Sequence, residues 1–135
     1  MTPDENLRAL AALEAGFRRD EAALAALSQR APDEAALPVL LAAYGVRTLD
    51  AMVLIASGTT DPAELDTLLQ QNVTARMCAT LGRTLTSWAA EAPDAASGDI
   101  ARAVIDAILS FTQNGDESCV LPLLAGLRAQ ALEAP

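Results

Sequence analysis

The sequence predicts an all-α fold, a compact bundle or orthogonal array of five to six helices, formed by residues 1–135 as a single domain. Alanine and leucine dominate its hydrophobic half, and they lose the least free energy on entering a helix. Aromatic side chains are scarce: Phe17, Tyr44, Trp88 and Phe111 are the only four. Residue types that favour the first turn of a helix, such as proline followed by aspartate and glutamate, recur along the chain. A length of 135 residues suits one domain.

The first predicted helix begins at Pro3-Asp4-Glu5. Its apolar residues recur at helical spacing and continue past Gly16 and the charged residues 18–21; they are Leu7, Leu10, Phe17, Leu24 and Leu27. The pattern fits one long helix, or two with a joint near residues 16–20.

Pro32-Asp33-Glu34 ends this segment and begins the next, which is expected to end at Tyr44-Gly45 with glycine as its C-terminal cap. Thr48 is expected to cap a short third helix through Ser57. The centre of that helix, residues 52–55, is apolar on every side, which predicts burial. Its apolar run, residues 51–56, is too short to span a bilayer.

The clearest helix start is Asp61-Pro62-Ala63-Glu64, where Asp61 is the expected N-cap. One apolar stripe then persists to Trp88, which predicts the longest helix, ending before Pro93. Ser97 or Asp99 begins a further helix that ends at Asn114-Gly115. Asp116-Glu117 begins the last one, which runs to about Leu132. We expect the fold to pack around residues 48–57 and 62–91.

Residues 28–42 and 112–125 read alike, with Ser or Thr before Gln, an Asp-Glu pair, and Leu-Pro before a leucine-rich run. The helices that follow start either at the acidic pair or nearer to the proline, at Leu37 and Leu121. The later start avoids the loss of the internal hydrogen bond that a proline deep in a helix removes. The likeness fits equivalent helix-turn-helix units, stacked pairs of an α-solenoid, or chance similarity between helix caps.

The net charge of −9 argues against a nucleic acid or an anionic membrane as the main partner, because both require clustered cations. It favours a basic protein partner instead. Every cationic side chain is an arginine, which with the alanine content indicates a GC-rich bacterial gene. The N-terminus does not resemble a signal peptide, so we expect a cytoplasmic protein.

The absence of histidine and lysine excludes the common activated-nucleophile, Schiff-base and phosphate-loop sites within one chain. Cys78 and Cys119 cannot supply a four-ligand zinc site, and we expect them to be buried free thiols. Most acidic residues lie at predicted helix starts, where capping explains them. We therefore expect no catalysis, metal or cofactor, and a metal-carboxylate enzyme is the third hypothesis for function.

Residues 73–88 depart from an ordinary amphipathic pattern. Their only charges are Arg76 and Arg83, and threonine and small residues fill the remaining positions. Such a helix suits a central position surrounded by others, or a face covered by a second copy or a partner. Arginine and tryptophan are enriched at binding hot spots. The predicted partner-binding residues are therefore Arg76, Arg83, Trp88 and Thr80.

These observations favour a non-catalytic protein-interaction module, such as an adaptor, a small chaperone or an inhibitor or immunity-type protein, that binds through a helical face. A homodimer through residues 73–88 is a separate prediction. The alternative function is a small-molecule or lipid-binding helical domain with a pocket at Met52, Met77 and Phe111, near Trp88.

Overall fold

The structure, a computed structural model, describes residues 1–111 and 117–133 and confirms the all-α class. These residues form seven α-helices and no strand, so the predicted count of five to six was slightly too low. The helices are α1 (Pro3–Phe17), α2 (Glu21–Ser28), α3 (Leu37–Ala56), α4 (Leu65–Gln71), α5 (Val73–Glu91), α6 (Ser97–Leu109) and α7 (Val120–Glu133). Short 3-10 turns lie at Pro62–Glu64, Asp94–Ala96 and Glu117–Cys119.

The core lies between α1, α3 and α6, with α2 and α7 packed around them. Its fully buried large residues come mainly from these three helices: Leu10, Leu13, Leu37, Leu41, Ile100, Val104 and Ile108. Two glycines allow the helices to approach closely. A Cβ at Gly16 would lie 2.5 Å from Ala101 Cβ, and a Cβ at Gly45 would lie 2.9 Å from Val104 Cγ2.

The joint between the first two helices lies where the charged cluster predicted it. Arg19 has a positive φ of 56°, which turns the chain out of α1. The Asp20 side chain then accepts a hydrogen bond from the Ala23 N–H and caps α2. Of the two alternatives, the structure therefore contains two helices.

Helix α3 is a single helix of 20 residues, where two had been predicted. Gly45 does not end a helix, because it serves as a site of close packing against α6. Thr48 is not a cap either, since its hydroxyl donates to the Tyr44 carbonyl within the same helix. The end of α3 is at Ala56, followed by Gly58 with a φ of 82°, in agreement with the predicted stop.

Within the described residues, α3 is the one helix long and apolar enough to cross a membrane, with a mean hydropathy of 1.7. The sequence-based argument considered residues 51–56 as the longest strongly apolar run, whereas α3 as a whole has 20 residues. Ten residues of α3 are buried inside the fold. The central helix of a soluble protein has the same length and composition, so these properties do not assign α3 to a membrane.

The segment 62–91 is not one central helix, which corrects the predicted packing. It breaks at Asn72, whose backbone is extended and whose side chain accepts from the Ala75 N–H at 3.1 Å. Asparagine is a strong N-cap, and this hydrogen bond starts α5 anew. Helix α5 packs mainly on α3 and gives the core only Leu85 and Ala89.

The two similar phrases lead into helices in different settings. Helix α3 begins at Leu37, after the acidic pair has formed a separate turn, and it is central to the core. Helix α7 begins at Val120 after the turn Glu117–Cys119 and buries only Val120 and Leu124. Residues 112–116, which include the predicted stop Asn114-Gly115 and Asp116, lie outside the described residues. The shared feature is a helix start close to a proline.

Three arginines donate to backbone carbonyls at the ends of helices, where the last carbonyls have no partner in their own helix. Arg8 donates to Leu27 O at 2.7 and 3.0 Å and to Ala35 O at 3.3 Å. Arg102 donates to Gly16 O at 3.1 Å, and Arg76 donates to the carbonyls of Leu69 and Gln70. Arginine therefore joins α2, α1 and α4 to their neighbours.

We expect Arg8→Ala to lower the free energy of unfolding by about 2 kcal/mol, because hydrogen bonds from a charged donor contribute more than neutral ones. Arg30→Ala removes the same charge from an exposed loop position and should change stability by less than ~0.5 kcal/mol. Urea denaturation of both variants measures the difference. Equally small losses of unfolding free energy in both variants would show that the Arg8 hydrogen bonds do not stabilise the attachment of the α2 C-terminus to α1.

Candidate functional site

Helix α5 is attached to the body of the protein along one side. Its buried residues are small or aliphatic and face α3: Ala75, Gly82, Leu85 and Ala89. Gly82 allows a close approach, since a Cβ there would lie 3.2 Å from Val46 Cγ2. The short helix α4 touches α5 on one flank and buries none of its own residues. A helix packed in this way leaves a broad face exposed.

That face carries large apolar side chains at helical spacing, which we call the α5 stripe. The exposed fractions of its members are 60% for Val73, 67% for Met77, 38% for Leu81 and 42% for Trp88. Residues 73 and 88 are separated by fifteen positions, so the stripe is about 22 Å long. Scattered apolar residues are common on protein surfaces, but contiguous exposed apolar faces mark interaction sites.

A groove with a volume of about 560 Å³ runs beside the stripe, between α5 and the C-terminal end of α6. We call it the α5–α6 groove. Its lining is mostly apolar and comes from three helices and the residues after α6: Leu49, Thr74, Met77, Cys78, Leu81, Ala107, Ser110 and Phe111. Met77 and Leu81 belong to both the stripe and the groove, so the two form one continuous apolar surface.

The structure brings together only part of the predicted pocket. Met77 and Phe111 line the α5–α6 groove, whereas Met52 is partly buried against the core and does not line it. Trp88 is on the exposed face of α5 outside the groove. Leu49 and Ala107 were not predicted as lining residues, because their positions depend on how α3 and α6 cross behind α5.

One of the predicted partner-binding residues, Trp88, belongs to the stripe. The other three lie along the flank of α5 away from the α5–α6 groove: Arg76, Thr80 and Arg83. Arg76 donates to Leu69 O at 3.3 Å and to Gln70 O at 3.2 Å, so it holds the end of α4. The Arg83 guanidinium donates to Thr80 Oγ1 at 3.0 Å on the same helix. Arg76, Thr80 and Arg83 are all exposed, and Arg76 also has a structural role that the sequence did not indicate.

The charge of α5 differs from that of the rest of the chain. Residues 73–90 contain two of the nine arginines and none of the 18 acidic residues. The α5 surface is therefore locally cationic on a strongly acidic protein. At physiological ionic strength charges are screened beyond about 8 Å, so this local charge determines which groups are favoured in contact with α5.

The described parts of the chain gather no cluster of metal-binding side chains. Across residues 1–111 and 117–133, no three Cys, Asp or Glu side chains lie close enough together to hold a metal ion. Cys78 and Cys119 are free thiols and are only partly buried, not fully buried as predicted. The chemistry available on the exposed face of α5 is apolar contact, hydrogen bonding by threonine and attraction of anions to Arg76 and Arg83.

Comparison of this chain with protein-family models, with curated proteins and with solved structures finds no match. No residue role is therefore carried over from another protein. Function is inferred from the geometry of α5 and its neighbours.

Proposed function

We propose that this protein is a non-catalytic interaction module that binds another protein through the α5 stripe and the α5–α6 groove. The observation that supports this function is the exposure of Val73, Met77, Leu81 and Trp88 on one face of a helix that is packed on one side only. Burying such side chains contributes about 25 cal/mol per Å² of apolar area. A partner that covers this face therefore gains its largest contribution from burial of the stripe.

The partner segment best suited to this surface is an amphipathic helix. The stripe is straight and about 22 Å long, which matches about four turns of a helix lying beside it. The adjoining groove can accept large apolar side chains of that helix next to Met77 and Phe111.

Local charge favours acidic residues at the edge of the docking helix, next to Arg83. The sequence-based expectation of a basic partner rests on the net charge of the whole chain, whereas the local charge of α5 comes from Arg76 and Arg83 alone. A second copy of this chain is less well matched to the stripe. Two α5 faces in contact would bring their arginines together with no acidic residue between positions 73 and 90 to offset them.

The α5–α6 groove also supports the second candidate function, binding of a small apolar molecule or lipid. Its volume of about 560 Å³ lies within the range of ligand sites in proteins. Met77 and Phe111 would contact the ligand. Native mass spectrometry of the purified protein distinguishes this function, because a bound small molecule adds a defined mass that denaturation removes.

The test of the interaction function compares Met77→Glu with Leu132→Glu. Met77 and Leu132 are 67% and 66% exposed, so both substitutions place a new carboxylate on an equally exposed helical surface. Proteins captured from an extract of the source cells by the wild-type chain are purified, and their affinities are measured directly. We expect Met77→Glu to weaken binding at least tenfold, about 1.4 kcal/mol, and Leu132→Glu to leave it unchanged within about twofold.

Circular dichroism first establishes that both variants are folded. Equal affinity of Met77→Glu and the wild type would contradict binding at the stripe, as would equal losses in both variants. Light scattering on the wild type tests the predicted homodimer: a concentration-dependent dimer that Met77→Glu abolishes would identify the second copy as the occupant instead.

A further inference from the structure

A second cleft lies on the other side of α5, between α3, α4 and α5, and has a volume of about 440 Å³. Its apolar walls include Val46 of α3 and Leu65 and Leu69 of α4. Its polar lining consists of Asp50, Cys78, Arg83, Thr86 and Ser87. The cleft thus combines an apolar wall with a small set of polar groups, as ligand sites do.

Asp50 is the distinctive group in this cleft. Its side chain is partly buried, and among the described residues it forms no hydrogen bond and no ion pair. Burial raises the pKa of this carboxyl above its ordinary value. A partly buried carboxylate without a partner loses hydration free energy, and a cation placed beside it offsets that loss.

Within the described residues, no cationic side chain forms an ion pair with Asp50. Arg83 lines the cleft, but its guanidinium donates to Thr80 Oγ1 and makes no ion pair with Asp50. Cys78 also lines the cleft. Burial, and secondarily the charge of Asp50, raises the pKa of its thiol. Both effects lower the fraction of thiolate at Cys78 relative to a free cysteine.

The chemistry of the lining defines the class of ligand. A metal ion needs several anionic or neutral ligands, and the described residues gather no such set around Asp50. An ammonium group needs one carboxylate and a few hydroxyl acceptors, and Asp50, Thr86 and Ser87 can provide them. Leu65 and Leu69 would cover the carbon chain of such a ligand.

We propose that the cleft between α3, α4 and α5 binds a small organic ammonium ion with an apolar body, with Asp50 as the counter-ion of its charged group. This cleft lies on the other flank of α5 from the stripe and shares only Cys78 with the lining of the α5–α6 groove. Its occupancy does not depend on the protein-interaction function.

Three probes of equal chain length test this site: hexylammonium, 1-hexanol and hexanoate. Binding is followed by the amide NMR shifts of Gly82 and Ser87. We expect hexylammonium to bind at least tenfold more tightly than the other two probes. Asp50→Asn should remove this preference. Asp66→Asn makes the same charge change at an exposed position on the adjacent helix and should retain it.

A readout on the wild-type chain makes the test independent of variant folding. Because Cys78 also lines the α5–α6 groove, hexylammonium should slow its alkylation at least threefold more than 1-hexanol or hexanoate does. Cys119, outside the cleft, should react at an unchanged rate and is the internal control. Equal effects of all three probes, or of none, would overturn the proposal. The same conclusion would follow if Asp66→Asn lost as much affinity as Asp50→Asn, because net charge alone would then attract the cation.

Discussion

Leu13→Ala should lower the free energy of unfolding by about 3–5 kcal/mol. Leu13 is fully buried in the core, on a helix that packs against α3, α6 and α7. Truncation removes about three buried carbon atoms and leaves a cavity that packed helices fill only partly. For a domain with about 5–15 kcal/mol of total stability, this loss is large enough to shift the denaturation midpoint strongly.

Leu132→Ala is the matched control, because Leu132 lies on α7 with two thirds of its surface exposed. The free energy of unfolding of Leu132→Ala should lie within ~0.5 kcal/mol of the wild-type value. Urea denaturation at constant temperature measures both variants. The slope of the unfolding free energy against urea concentration should be unchanged if only stability has altered. A loss below ~1 kcal/mol for Leu13→Ala would contradict the position of α1 in the core.

Gly16→Ala should be destabilising by about 2–3 kcal/mol, although alanine is the better helix former. Helix propensity alone would favour alanine by about 1 kcal/mol. A Cβ at position 16 would lie 2.5 Å from Ala101 Cβ, far inside the ~3.5–4.0 Å at which carbon atoms pack. The two helices must then separate, and such overpacking costs about 1–3 kcal/mol or more.

The double variant Gly16→Ala with Ala101→Gly tests the cause of that loss. It moves the methyl group from one helix to the other and restores the space between α1 and α6. We expect the double variant to be more stable than Gly16→Ala alone, with a coupling energy of at least ~1 kcal/mol. A stabilised Gly16→Ala variant, or additive losses in the double variant, would contradict the close crossing of α1 and α6.

The sequence was most informative where capping chemistry acts locally. The acidic residues that follow Pro3 mark the start of α1, a joint near residues 16–20 separates α1 from α2, and Ser57-Gly58 ends α3. Asp61 also caps as predicted, but the residues after it form a 3-10 turn before α4 begins at Leu65. Local hydrogen bonds of this kind depend on a few neighbouring residues and can be predicted from them.

Two predictions failed, one because tertiary packing decided the role of a glycine and one because a local cap lay hidden within an apolar pattern. Gly45 looked like a helix C-cap, yet it lies inside α3, where α6 leaves no room for a side chain. Asn72 lay within an unbroken apolar stripe, and its capping role was missed because the period of the stripe passes through the break. The same residue type serves as a cap or as a contact according to its surroundings.

The unusual composition of residues 73–88 was visible in the sequence, but whether this helix is central or peripheral depended on the fold. The same threonines, small residues and two arginines fit a central helix and a peripheral one equally well. Placement on the outside of α3 exposes Met77 and Trp88 and turns Ala75 and Gly82 inward. The neighbours Leu49 and Ala107, which complete the groove, come from distant parts of the chain.

The measurement that most directly tests whether the α5 stripe is a protein-binding face uses Trp88, the single tryptophan of the chain. The protein is labelled with 5-fluorotryptophan and titrated with the partner protein that the wild-type chain captures, while ¹⁹F NMR follows position 88. We predict that the resonance shifts on saturation and loses its sensitivity to solvent exchange from H₂O to D₂O, because the partner covers the stripe. An unchanged resonance at full saturation would show that the partner binds elsewhere and would contradict this function for α5.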